Sequence, residues 1–241
     1  QKGEAAMKIQ PTLDEVKTTA AAGRYEVLPV SCKILADICT PIEALKILKN
    51  VSTRCYLLES ASQEEAWGRY SFLGYDPTME ITCLDGEVTI RENLGDGTET
   101  VTTKHVDHPG DTLREVLARY KSPVMEKMPT FTGGLVGYFS YDYIKYSEPK
   151  LKLTSEGQQD FRDMDLMLFN EVIAFDHYRQ KIMLITGVMT EDIEGSYQKA
   201  EETLEDMAKL IREGEKETFP TLQLKTEIEP VFPKEQYCNM V

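Results

Sequence analysis

Leu166-Met167-Leu168-Phe169-Asn170-Glu171-Val172-Ile173-Ala174-Phe175, then Asp176-His177-Tyr178-Arg179-Gln180, then Ile182-Met183-Leu184-Ile185-Thr186-Gly187-Val188, is the stretch on which the fold turns. Apolar runs of strand length, joined by a short polar segment, read as a long hairpin of central strands. The period then changes. From about Glu191 to Arg212 the residues Ile193, Tyr197, Ala200, Leu204, Met207 and Ile211 share one stripe, so a long amphipathic helix leaves the hairpin and packs back on it. Glu191, Asp192 and Glu194 crowd its start and Lys209 and Arg212 its end, as the helix dipole favours, and Gly214 reads as the stop.

Working towards the N-terminus, Phe131 to Tyr143 is aromatic and glycine-rich and reads as further central strand. Cys55-Tyr56-Leu57-Leu58, Tyr70-Ser71-Phe72-Leu73 and Met79 to Leu84 are strands as well. Asp85-Gly86 joins the last of these to Glu87-Val88-Thr89-Ile90 in what its residues favour as a type I′ hairpin. Three shorter helices complete the set. Thr12 and Glu15 have capping-box spacing and start a helix to about Ala22; Thr40, Pro41 and Glu43 start another to Asn50. A third opens after Asp111, with Leu113, Val116, Leu117 and Tyr120 on one face. Helices and antiparallel strands are segregated rather than alternating, which gives an α+β fold, mainly antiparallel sheets with flanking helices.

Residues 215 to 231 are polar and proline-punctuated, with sparse apolar positions at Phe219, Leu222, Leu224, Ile228 and Val231. They read as a linker. Pro233 then opens a helix whose Tyr237, Met240 and Val241 would turn inward against a partner outside the chain, so a domain boundary is expected here. At the other end, Gln1 to Ala6 precede Met7, a natural initiator, and are expected to be an added tail.

The chain has 241 residues, with Lys+Arg 27 and Asp+Glu 41, a net charge of −14. That field repels nucleic acid and anionic membrane surfaces. No apolar run approaches the ~20 residues of a membrane span, and a reducing cytoplasmic address fits Cys32, Cys39, Cys55, Cys83 and Cys238, which form no C-x-x-C pair. His105 and His108 sit three apart without further ligands and read as loop histidines. Gly133-Gly134-Leu135-Val136-Gly137 lacks phosphate-loop spacing, so its glycines serve close packing in a strand. Glu201-Glu202 reads as a solvated helix face. From the residues alone no catalytic or metal constellation emerges.

One strand end stands apart, Leu57-Leu58-Glu59-Ser60. An apolar run ending in a carboxylate and a hydroxyl suits an amino acid: Glu59 for an ammonium, Ser60 for a second polar group. The plain structural alternative is a strand leaving the core. Three ordered strings, Leu57-Leu58-Glu59-Ser60-Ala61, Arg69-Tyr70-Ser71-Phe72-Leu73-Gly74 and Phe131-Thr132-Gly133-Gly134-Leu135-Val136-Gly137-Tyr138-Phe139-Ser140-Tyr141-Asp142, resemble the N-terminal region of anthranilate synthase component I, and the likeness runs from Met7 to Val241.

The resemblance implies that 7–214 is a regulatory domain whose Glu59 and Ser60 help bind L-tryptophan, the feedback inhibitor; Arg69 and Tyr70 match a family string, and no inhibitor contact is carried over to them. It implies that 215–241 is a linker and the start of a C-terminal chorismate-utilising domain. That domain would hold the catalytic acids and a magnesium site, so the 241 residues themselves carry no cofactor and no lyase activity. A glutamine amidotransferase subunit is the implied partner for making anthranilate and pyruvate from chorismate. Two rivals compete: the sister aminodeoxychorismate synthase of folate synthesis, and a stand-alone amino-acid-binding module.

Overall fold

The computed structural model describes residues 7–60, 68–148, 150, 161–218, 220, 221, 223 and 233–240. Ala61, Trp67, the tail ahead of Met7 and the apolar positions expected in the linker lie outside them. The fold is α+β with two five-stranded sheets, antiparallel at every pairing.

The elements follow in chain order. Helix α1 (Leu13–Ala20) and strand β1 (Val27–Leu35) precede α2 (Pro41–Val51), β2 (Cys55–Leu58), β3 (Tyr70–Tyr75), β4 (Met79–Leu84), β5 (Glu87–Glu92) and β6 (Thr100–His105). Then come α3 (Pro109–Ala118), β7 (Gly134–Phe139), a 3₁₀ turn (Tyr141–Tyr146), β8 (Met164–Phe169), β9 (Val172–Asp176), β10 (Lys181–Met189), α4 (Ile193–Glu213) and α5 (Lys234–Met240). One sheet runs β1-β10-β9-β3-β2, the other β6-β5-β4-β8-β7.

The expected long hairpin is cut in two. β9 and β10 do form it, with Ile182 opposite Phe175 and Leu184 opposite Ile173. Leu166 to Phe169, however, belongs to β8 in the second sheet. The chain changes sheet at Asn170-Glu171, the one polar pair inside the apolar run. A second crossing joins β3 to β4 through Asp76, Pro77 and Thr78, and the Asn170 amide donates to Thr78 Oγ1 at 3.1 Å, tying the two crossings together.

The larger core lies between the first sheet and α1, α2 and α4: Leu28, Val30, Leu73, Ile173, Ile182 and Leu184 meet Ala44, Leu48, Tyr197, Leu204 and Met207. A second core, with Ile81, Val88 and Leu168, is covered by α3 through Leu113 and Val116. Leu117 of α3 is half-exposed instead. The predicted stripe of α4 is buried through Tyr197, Ala200, Leu204, Met207 and Ile211.

Local chemistry explains most element ends. Thr12 with Glu15 and Thr40 with Glu43 make reciprocal capping boxes. Asp85 (φ 47°) and Gly86 (φ 81°) both take the left-handed conformation of a type I′ turn. Tyr146 Oη locks that turn, donating to Asp163 at 2.7 Å and accepting from the Gly86 amide at 2.7 Å. Gly214 ends α4 by closeness rather than by a left-handed cap: its φ is −64°, and a Cβ there would stand 2.4 Å from Ile47 Cγ2.

One expectation needs correcting, and two strands escape the sequence reading. β7 is an edge strand, not a central one, and leaves Phe139 half-exposed. β1 escapes the period-two reading because it carries Pro29, which an edge position tolerates. β6 is exposed along most of its length, so it offers no apolar signal.

Candidate functional site

β2 ends at Leu58, and the chain emerges at Glu59 and Ser60, both exposed. Antiparallel pairing of β2 with β3 and of β3 with β9 gathers three strand ends here. Ser71 is 1% exposed and joins two of them. Its Oγ lies 3.3 Å from Glu59 Oε1 and 2.7 Å from His177 Nε2. With a proton on Nε2, the hydroxyl accepts from His177 and turns its own hydrogen to Glu59, so the carboxylate is held from behind.

Beside this chain lies a second polar pair. Arg69 donates from Nε to Asp176 Oδ1 at 3.1 Å and from Nη2 to Oδ2 at 2.7 Å. This two-pronged geometry suits a guanidinium better than an ammonium. Asp176 also accepts from the Arg179 amide at 3.0 Å, which closes the β9–β10 turn. Burial alone would raise the Asp176 carboxyl, but the hydrogen bonds from Arg69 and Arg179 outweigh it and hold the group below its ordinary value. Arg69 lies 4.8 Å over the Tyr70 ring and 5.8 Å from the Tyr178 ring centre, so aromatic faces border the cation.

The arrangement is a binding surface rather than a hydrolytic triad. In a Ser-His-acid triad the acid orients the imidazole. Here Glu59 contacts the serine, and that serine is buried away from any substrate. What the geometry offers is an exposed, positioned carboxylate beside a hydroxyl-bearing residue, with a fixed guanidinium and aromatic rings nearby.

The other sequence candidates fall out as structure. Gly133 and Gly137 allow close backbone approach; a Cβ on Gly137 would stand 2.0 Å from the Asp165 carbonyl oxygen. Glu201 and Glu202 are exposed on α4. Cys32, Cys39 and Cys83 are buried free thiols, and burial pushes Cys32 and Cys39 up to about 11, which leaves them unreactive. Among the described residues no three His, Cys, Asp or Glu side chains could hold a metal together, and no helix is long and apolar enough to cross a membrane.

The sequence brought Glu59, Ser60, Arg69 and Tyr70 to notice, and the structure brings Glu59 and Arg69 to neighbouring strand ends. It adds Ser71, Asp176 and His177. Ser71 lies within β3, Asp176 ends β9 and His177 begins the turn that closes the β9–β10 hairpin, positions whose local sequence carries no sign of a site.

Comparison with known proteins extends this picture. The model of the chorismate binding enzyme family matches residues 53–241, which includes every side chain of the site. The chain is a member of the chorismate binding enzyme family. Within this family it is 33% identical over 238 residues to anthranilate synthase component 1 of Acinetobacter calcoaceticus, covering 95% of this chain and 46% of that one. The corresponding protein of Acetivibrio thermocellus is 34% identical over 188 residues, covering 78% and 36%. The crystal structure of anthranilate synthase component I from Streptococcus pneumoniae TIGR4 aligns over 73% of this chain and 36% of that one, with 26% identity and a TM-score of 0.43. The chain thus spans less than half the length of these relatives.

Proposed function

We propose that this chorismate binding enzyme chain is the regulatory region of an anthranilate synthase component I and contributes Glu59 and Ser60 to an L-tryptophan feedback site. The observation that carries the reading is the held carboxylate: Ser71 fixes Glu59 at an exposed strand end, where an amino-acid ammonium can reach it. An exposed glutamate normally samples many rotamers. One tied to a buried hydroxyl loses less freedom on binding a ligand.

In this reading, conversion of chorismate to anthranilate and pyruvate belongs to a C-terminal domain beyond these residues, with ammonia supplied from glutamine by an amidotransferase subunit in the cytoplasm. Magnesium would be held in that domain too. The residues present do binding work only. Glu59 takes the ligand ammonium, Ser60 adds a hydrogen bond, and the Arg69–Asp176 pair holds the adjoining strand ends in register.

The test uses the longer enzyme that carries this region. Ser60→Ala should raise the tryptophan concentration for half inhibition roughly two- to twelve-fold, as loss of one hydrogen bond of about 0.5–1.5 kcal/mol implies. An unchanged inhibition curve would remove Ser60 from the site.

A further inference from the structure

At the opposite end of β3 and β9 from Glu59 the structure holds a cavity of about 400 Å³. It follows from how the strands end. β9 starts at Val172, paired with Ile185, so Thr186 to Met189 of β10 have β1 on one side and no described strand on the other. α4 passes over that gap, and the Asn170-Glu171 crossing forms its far wall. From Ser71 to Tyr75 at this end is about 13 Å along β3, so the two places are separate.

The lining combines a few polar groups with apolar wall. Glu171 and Asn170 stand on one side, Lys199 and Thr203 of α4 on another, and Leu117 and Tyr120, which the α3 reading had assigned to a packed face, line the cavity. Glu171 and the Tyr75 hydroxyl influence each other's titration, the hydroxyl favouring the charged carboxylate. Burial raises the Glu171 carboxyl above the ordinary value; the Tyr75 hydroxyl and Lys199 oppose the shift, while Asp76 and Asp206 reinforce it. Among the described lining residues Glu171 is the one acid and Lys199 the one base, so a cationic head belongs on the Glu171 side of the cavity. A metal ion is a poor fit, because no three-ligand cluster exists among the described residues. The volume suits a small organic molecule.

We infer that this cavity is a binding site for a small organic ammonium, with the charged head on Glu171 and an apolar body against Leu117 and Tyr120. An amine and an α-amino acid share that head. They differ at Lys199, which a carboxylate would engage.

The experiment is calorimetric titration of the 241-residue chain with 3-methylbutylammonium chloride and, separately, with L-leucine. At least one should bind in the millimolar range or tighter. Glu171→Gln, which keeps the shape and a partner for Tyr75, should weaken binding about tenfold or more, because a charge-assisted hydrogen bond is lost. Thr203→Phe, on a half-exposed position of α4, should fill the cavity and abolish binding, and it keeps the test decisive if Glu171→Gln does not fold. Binding that is lost in Thr203→Phe and kept in Glu59→Gln belongs to this cavity, whereas binding lost only in Glu59→Gln belongs to the proposed tryptophan site and overturns the inference. Tighter binding of leucine that is weakened by Lys199→Ala assigns an α-amino acid, and binding of the amine alone assigns an amine. Absence of heat with both probes, or binding that survives in folded Glu171→Gln and Thr203→Phe, would overturn the inference.

Discussion

Asp176 holds the Arg69 fork and the Arg179 amide at once, and it is only 3% exposed. Its folded-state pKa lies below its ordinary value. The stability it contributes is therefore complete above the unfolded value of about 3.9 and is lost as pH falls through the lower folded value. Asp176→Asn should cost about 3 kcal/mol at neutral pH, by leaving Arg69 without its charge partner, and should flatten the acid limb below about pH 4. Urea unfolding at a series of pH values measures both; an acid limb identical to wild type would show that the pair is idle. Glu59 and Ser60 stand out in the sequence as candidates because carboxylate and hydroxyl lie next to each other at the end of an apolar run. Ser71, Asp176 and His177 do not, since Ser71 lies 106 residues from His177 and Arg69 lies 107 from Asp176. Only strand pairing brings them together, and no local pattern encodes it.

Elements were read best where short-range chemistry decides them. The capping box of α2 is one case: hydrogen bonds from Lys216 and from the Thr40 amide hold the Glu43 carboxyl down to about 2. Its contribution is thus present above the ordinary glutamate value and lost as pH falls towards 2. Thr40→Ala should destabilise the chain by about 1 kcal/mol in urea unfolding at pH 7, and a change indistinguishable from zero would mean that the cap is replaced by water. The stripe of α4 was equally plain, because six apolar positions repeat at helical spacing. Leu204, fully buried against the first sheet, should cost about 2–5 kcal/mol as Leu204→Ala, a loss readable in the same transition. A loss below about 1 kcal/mol would show that α4 is not seated on the sheet. The misread elements share a physical cause. An apolar run tells a strand from a helix, yet it does not tell which sheet the strand joins or whether it lies at an edge. β8 and β9 form one run in sequence and two sheets in space, and β7 looks central by composition but, among the described residues, has a strand partner on one side only.

Across the whole molecule, two antiparallel sheets are joined through short crossings at Asp76–Thr78 and Asn170–Glu171, and the proposed tryptophan contacts sit at the far ends of the first sheet's strands. The α+β class was legible from segregated helices and strands. The pairing of sheets was not, because it depends on contacts far apart in sequence. The chain belongs to the chorismate binding enzyme family and spans less than half the length of the anthranilate synthase relatives it matches, and the proposed reading divides the labour so that this part senses and another part converts. On that account the 241-residue chain alone should form no anthranilate from chorismate with ammonia or glutamine, as read by product fluorescence with host enzyme excluded. The most direct measurement is steady-state turnover of the longer enzyme, wild type and Glu59→Gln, titrated with L-tryptophan. The account predicts unchanged chorismate turnover without tryptophan and a rise in the half-inhibitory concentration of about tenfold or more, since a charged hydrogen bond to the ligand ammonium is removed. Turnover that collapses without tryptophan, or an inhibition curve that does not move, would contradict it.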